Sequence, residues 1–414
     1  MHFLSSTLIT TAITSLILVS CNKDITSKTD DHKYNSAEAE ALFLERYEAQ
    51  QSASLKGGGL RTYDPLEKII GVSPYSPLPK SEVPSISREA LSAADAYAKD
   101  HNSSSLLIWH RDRLAYEKYY GDLSVDKVLN SKSLAKPLAA IAIGLAIKQG
   151  YIDNLDQPVS DFITEWAGKD LYEKITIRHL LGMRSGLLPQ GIPDGVQSVL
   201  NRAYLHPNHD AVIIHEYPIL HEPGTRYDYS NANSELISPI IERATGRRYG
   251  TFLSESLLKP IGAAGGSIWV NKPGGTAHSG CCILIPAESW LRIAILLLEN
   301  GNWKGQQLLP KNYSYEMRQT TSENPHAGLS VWIAGEYIEA RGSLNPSIDF
   351  GKTHHSEPYI AEDLYLFDGN ANQVIYIVPS KDLIILRTGG WSPKESPWDN
   401  SILPNLIIRG ITKN

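Results

Sequence analysis

Alternation and helical spacing divide the chain into recognisable pieces before any chemistry is considered. From Ser105 to Tyr120 an apolar run, Leu106-Leu107-Ile108-Trp109, is followed by a charged Arg111-Asp112 turn and a second run with Leu114, Tyr116 and Tyr119. That pattern predicts a β-hairpin. A second hairpin is expected near the end, from Gln373 to Val378 and from Leu383 to Thr388, across Pro379-Ser380-Lys381-Asp382. Between them, 134–150, 175–183, 233–244 and 287–300 carry helical spacing with Gly or Asn at their ends. Leu403, Leu406, Ile407 and Ile411 share one face of a final helix over 401–411. Two hairpins so far apart predict one antiparallel sheet built from both ends of the chain, flanked by helices, with a helical lobe at about 152–330 inserted between them. No internal repeat is visible.

Length and composition narrow the class. At 414 residues the chain exceeds what one hydrophobic core usually holds, so two lobes are expected. Hydrophobic residues make up 42% and charged residues 20%, which excludes bulk disorder, collagen and coiled coil. A net charge of -6 without a basic run argues against nucleic acid as a partner. The three cysteines, Cys21, Cys281 and Cys282, make no disulfide framework. Adjacency strains a bridge between the last two, which are expected as small buried residues.

The N-terminus has a separate character. Residues 3–19 are nearly uncharged and rich in Leu, Ile, Thr and Ser, and they lead into Leu18-Val19-Ser20-Cys21-Asn22-Lys23. This is the form of a lipoprotein leader at 1–20, cleaved before a Cys21 that becomes diacylated, although His2 stands where Lys or Arg is usual. Residues 21–60 are then expected as lipidated cysteine and polar tether, with the folded domain at 61–414. That reading puts the protein in the cell envelope, held to a membrane by its lipid. No other run is long and apolar enough to span a bilayer.

Candidate chemistry begins at Ser133-Leu134-Ala135-Lys136. In a helix this spacing stacks the serine hydroxyl and the lysine amine one turn apart, where the amine can take the hydroxyl proton. Pro137 is tolerated only near a helix start, so free backbone N–H groups lie close to Ser133 and favour an oxyanion. Ser-x-x-Lys also occurs at Ser20, Ser124 and Ser256, but only Ser133 opens an apolar helix. The second element is Tyr229-Ser230-Asn231, after a Pro223-Gly224 turn. An extended Tyr-x-Asn sends both side chains to one side, Tyr229 to relay a proton and Asn231 to hold a substrate carbonyl.

The ordered pair, Ser-x-x-Lys on a helix and Tyr-x-Asn about a hundred residues later, resembles the serine β-lactamase-related hydrolases, the branch with class C β-lactamases, DD-peptidases, esterases and 6-aminohexanoate-dimer hydrolase. Ile175-Thr176-Ile177-Arg178-His179-Leu180-Leu181-Gly182-Met183 through Ser185-Gly186-Leu187, and the block from Trp290 to Leu309, are similar to the family as well. The likeness spans roughly 88–390. It implies an α+β, three-layer β-lactamase/DD-peptidase-like fold, Ser133, Lys136 and Tyr229 as catalytic residues, no cofactor, and an acyl-enzyme formed on an ester, amide or short peptide.

The family's third element, Lys/His/Trp-(Thr/Ser)-Gly on the strand lining the site, is matched only by Phe367-Asp368-Gly369, followed by Asn370. Gly369 is retained, so a backbone N–H at Asn370 or Ala371 can complete an oxyanion hole with that of Ser133. Asp368 replaces a cation and is expected to repel a substrate carboxylate, which ranks ester or amide hydrolysis above β-lactamase or DD-peptidase action. A non-catalytic envelope lipoprotein that binds a ligand in a hydrolase-shaped cleft is the other reading.

His206 with His209 and Asp210, and His215 with His221, suggest metal pairs, but no third ligand stands at a known spacing, so no metal is expected. The cleft shape is left to the loops at 188–218 and 323–358.

Overall fold

The computed structural model describes residues 34–55, 63–83, 85–342, 344–346 and 351–412. The leader and Cys21 lie outside the described residues. Among the described residues no helix is long and apolar enough to cross a membrane.

Both expected hairpins form, and they lie side by side. Ser103–His110 turns into Arg113–Tyr119 through Arg111 and Asp112, both left-handed at φ 50° and 59°, the twist that a two-residue hairpin turn requires. Gln373–Val378 pairs with Leu383–Gly389, and Leu383–Gly389 pairs with Ser103–His110 in the register Ile385 to Ile108. Tyr365–Gly369 and the short Trp332–Ile333 extend the sheet to six antiparallel strands.

Successive side chains of a strand point to opposite faces, and here both faces are covered. Leu106, Ile108, Val374, Tyr376, Leu383 and Ile385 pack under the helices Arg88–Asp100 and Ile402–Arg409. Leu107, Trp109, Ile375, Ile377, Ile384 and Leu386 face the helix Ala287–Leu298 and the core beyond it. The result is the three-layer α+β arrangement expected. The helix Arg88–Asp100 starts at Ser87, whose hydroxyl accepts from the Ala90 N–H, an N-cap of the usual kind.

Three expectations are corrected. Residues 37–55 are a helix rather than tether, because the segment has somewhere to dock. Phe43 is fully buried, and Arg46 donates to the carbonyls of Leu205, Asp64 and Asn271. Its weak amphipathicity concealed this. The inserted lobe is also shorter than 152–330: Ala287–Leu298 belongs to the layer on the main sheet. Ahead of it, Gly266–Trp269 and Ile283–Pro286 form a second sheet with Leu66–Ile69 and Val128–Asn130. Those strands are three or four residues long, too short for an alternating pattern to register. Finally, Cys281 and Cys282 are joined to each other by a disulfide.

Candidate active site

Ser133 sits in a tight turn, Lys132–Leu134, that runs into the helix Ala135–Lys148. Every residue of that helix from Ala135 to Ala146 is buried, so it is apolar all round and forms the centre of the core. Lys136 is buried with it, 4% exposed. Lys132, just before the nucleophile candidate, takes φ 49°, a left-handed conformation held by a bond from its N–H to Asn130 Oδ1 at 2.8 Å.

The expected constellation is assembled. Lys136 Nζ lies 3.2 Å from Ser133 Oγ, and Tyr229 OH lies 3.3 Å from the same oxygen. Lys136 Nζ also donates to the Gly280 carbonyl at 3.1 Å and stands 5.1 Å from the centre of the Tyr229 ring. Ser230 is extended, as the Tyr-x-Asn reading requires, and Asn231 then opens a short helix, Asn231–Glu235. Asn231 Nδ2 donates to Gln190 Oε1 at 2.8 Å.

Ser133 opens on two sizeable cavities, beside a third of only about 20 Å³. One, of about 390 Å³, is bordered by Tyr229, Trp332, Arg341, Asp368, Gly369 and Asn370. The other, of about 320 Å³, is bordered by Lys136, Gln190, Asn231, Glu235, Cys281 and Asn370. All seven folded site residues expected from the sequence therefore come together. Gly369 has a steric reason: a Cβ there would stand 3.0 Å from the Leu134 N and 3.2 Å from the Ser131 carbonyl, so a larger residue would push this strand a few tenths of an ångström from the turn that carries Ser133. Gln373, one strand further, donates to the Asn130 carbonyl at 2.8 Å and ties the last hairpin to the same turn.

Asp368 behaves differently from the expectation. Arg341 Nη2 bonds its Oδ2 at 2.5 Å, so the carboxylate faces the cleft already compensated and the predicted repulsion of a substrate carboxylate is largely cancelled. Burial still pushes the Asp368 carboxyl above its ordinary range, against the pull of Arg341. The guanidinium carbon stands over the Trp332 ring, 3.7 Å from its centre, and Nη1 has no hydrogen-bond partner among the described residues. Arg341 comes from the loop at 323–358 and Gln190 from the segment at 188–218, the two regions the sequence left unresolved. Neither belongs to a motif, so no local signal marks them.

One further cluster of donors lies behind the cleft. His209 and His278 are fully enclosed and Glu235 reaches the wall of the second cavity, with Glu235 Oε2 at 3.6 Å from His209 Nε2 and 3.4 Å from His278 Nδ1. These separations alone suit a tetrahedral cation. The two imidazoles, however, stack at 3.9 Å with an interplanar angle of 12°, so their lone pairs lie in parallel planes and do not converge on one point. A cation would require one ring to turn. Burial lowers His278 to about 4, which keeps it neutral at neutral pH. Sequence reasoning paired His209 with His206 and Asp210, and missed Glu235 and His278, which lie 26 and 69 positions further on.

Residues 91–282 match the Beta-lactamase family model. A segment of 171 residues is 30% identical to protein flp of Staphylococcus aureus, over 38% of this chain and 33% of that protein. Another of 146 residues is 30% identical to penicillin-binding protein 4* of Bacillus subtilis, over 34% of this chain and 30% of that one. The chain thus matches about a third of the length of these curated relatives. Among solved structures, a Bacillus anthracis protein named for 6-aminohexanoate-dimer hydrolase shares the fold with a TM-score of 0.65 at 16% identity, covering 88% of this chain and 93% of its own.

Proposed function

We propose that the chain, whose residues 91–282 match the Beta-lactamase family model, is a serine hydrolase of the β-lactamase-related family that opens an ester or amide bond through an acyl-enzyme on Ser133. The observation that supports this most is the position of Ser133 Oγ, between Lys136 Nζ at 3.2 Å and Tyr229 OH at 3.3 Å and facing open space. Lys136 takes the hydroxyl proton as Oγ bonds to the substrate carbonyl carbon. The oxyanion is received by the N–H groups of Ser133 and of Asn370, which follows the closely packed Gly369. Tyr229 passes the proton to the leaving group, and water then attacks the acyl-enzyme with the same groups acting in reverse. Asn231, supported by Gln190, holds the acyl side of the substrate, and Arg341 and Asp368 line the opposite side.

A penicillin-binding or β-lactamase reading draws support from one observation, the Arg341 guanidinium beside Asp368, which makes the cleft less hostile to a carboxylate than the sequence implies. The lipid anchor at Cys21 is part of the proposal on the leader sequence alone, and Cys21→Ser should then leave the membrane fraction.

The test is intact mass of the protein before and after exposure to a fluorophosphonate, a penicillin and a short-chain p-nitrophenyl ester, in wild type and Ser133→Ala. A Ser133-dependent fluorophosphonate adduct with ester turnover is the expected result. A stable penicillin adduct moves the penicillin-binding reading to first place. No adduct with any probe leaves a binding lipoprotein.

A further inference from the structure

The residues from Gly280 to Ile283 hold the catalytic turn at two points. Gly280 O accepts from Lys136 Nζ at 3.1 Å. Ile283 bonds Ser131 twice, its N–H to Ser131 Oγ at 3.1 Å and its carbonyl to the Ser131 N–H at 3.0 Å. One grip is therefore on the base and the other on the turn that carries Ser133. The two residues between the grips are Cys281 and Cys282, and they are bonded to each other.

The Gly280 contact has a definite chemical use. A neutral amine has two N–H bonds and one lone pair, and only the lone pair can accept a proton. When the Gly280 carbonyl takes one N–H, and the face of Tyr229 lies 5.1 Å away on another side, the lone pair is left to point at Ser133 Oγ. A carbonyl turned away would let the amine rotate. Gly280 itself is packed without slack, since a Cβ there would stand 2.9 Å from both Ser234 Cβ and Glu235 Oε1. The next peptide is fixed by the ring that the disulfide closes through the Cys281–Cys282 peptide bond. Cys282, fully buried, is held at φ 66°, where a residue with a Cβ rarely sits, while Cys281 borders the cleft.

We infer that the Cys281–Cys282 disulfide is a positioning element for Lys136, holding the Gly280 carbonyl where it orients the base. The inference rests on the reading of Ser133 and Lys136 as nucleophile and base. Reduction by a dithiol transfers two electrons and two protons: the S–S bond breaks, two thiols form, and the reductant closes to its own disulfide. With the ring opened, Cys282 is free to leave the left-handed region and the Gly280 carbonyl to leave Lys136.

The experiment uses the full chain purified without reductant. Alkylation by iodoacetamide followed by peptide mapping reports the state of residues 281–282. Kinetics with a p-nitrophenyl ester give kcat and KM, and a fluorophosphonate gives both the rate and the final extent of Ser133 labelling. The expected result is alkylation of the 281–282 peptide only after reduction. Reduction should lower kcat and the labelling rate about tenfold with KM and final extent within about twofold, and reoxidation should restore both. The double variant Cys281→Ser/Cys282→Ser should stay at the lowered rate and ignore reductant. The final extent counts folded sites, so lost fold and lost positioning are read separately. Free thiols at 281–282 in the protein as purified, or equal kcat in the two states, would overturn the inference. If the oxidised protein neither turns over ester nor labels, the hydrolase reading itself fails, and the positioning role with it, whatever the thiol map says.

Discussion

Two polar clusters meet at Gly280, one half-buried and facing the cleft, the other enclosed behind it. On one side of this glycine stands Lys136, with Ser133 and Tyr229; on the other stands Glu235, with His209 and His278. The second cluster holds more titratable groups and is the more deeply enclosed, its three residues 0–2% exposed. The first faces two cavities, of about 390 and 320 Å³. Concentration of ionisable side chains is therefore a poor guide to chemistry here. A reactive group needs a free direction of approach, and Ser133 Oγ has one while the imidazoles are closed in by each other and by Trp269, which stacks on His278 at 3.9 Å. The enclosed cluster is expected to serve stability and the open one turnover.

The largest effect that can break this division is at Ser133. Ser133→Ala should lower kcat by at least about a thousandfold without moving the melting temperature, measured by ester hydrolysis and calorimetry. Tyr229→Phe should lower kcat about a hundredfold with a smaller change in KM, since it removes a proton relay and leaves the ring in place. Loss of binding with kcat intact would instead assign Tyr229 to substrate recognition.

Arg341→Met tests the border of the open cluster. It strands the Asp368 carboxylate, which should cost about 2–3 kcal/mol in denaturant unfolding, and adding Asp368→Asn should recover most of that. On the enclosed side, His209→Gln should cost about 1–2 kcal/mol and leave kcat within about twofold. A large loss of kcat there would erase the contrast between the clusters.

The smallest expected effect is a pH dependence of stability. Burial lowers His278 from 6.5 to about 4, so the unfolded chain takes up a proton before the folded one does. Stability that depends on neutral His278 should be fully present above about pH 6.5 and lost progressively as the pH falls toward 4. Melting curves across that range should show the loss, and His278→Gln should flatten it.

Much of the fold was legible in the chain. The two hairpins, the buried helix after Ser133, the helix over 287–300 and the last helix all carry their pattern within a single segment, because alternation and helical spacing are properties of consecutive residues. The same holds for Ser133 with Lys136 and for Tyr229 with Asn231, pairs set by local backbone geometry. The short strands at 66–69, 128–130, 266–269 and 283–286 were invisible because each is defined by its partners. The helix at 37–55 was mistaken for tether because its burial depends on a surface supplied by Leu205 and Asn271.

By itself, then, the sequence determined the two hairpins, the long buried helices and the pairing of Ser133 with Lys136 and of Tyr229 with Asn231, since those are written in spacing, while the three-layer arrangement was implied only by the resemblance those motifs carry. Tertiary structure alone decided that Arg341 compensates Asp368, that Glu235 and His278 join His209, and that the Gly280 carbonyl and the Cys281–Cys282 bridge stand beside Lys136. Each of those is a contact between residues far apart in the chain or a choice of backbone conformation imposed by packing. Such contacts are fixed by the folded surface as a whole, and no local pattern encodes them.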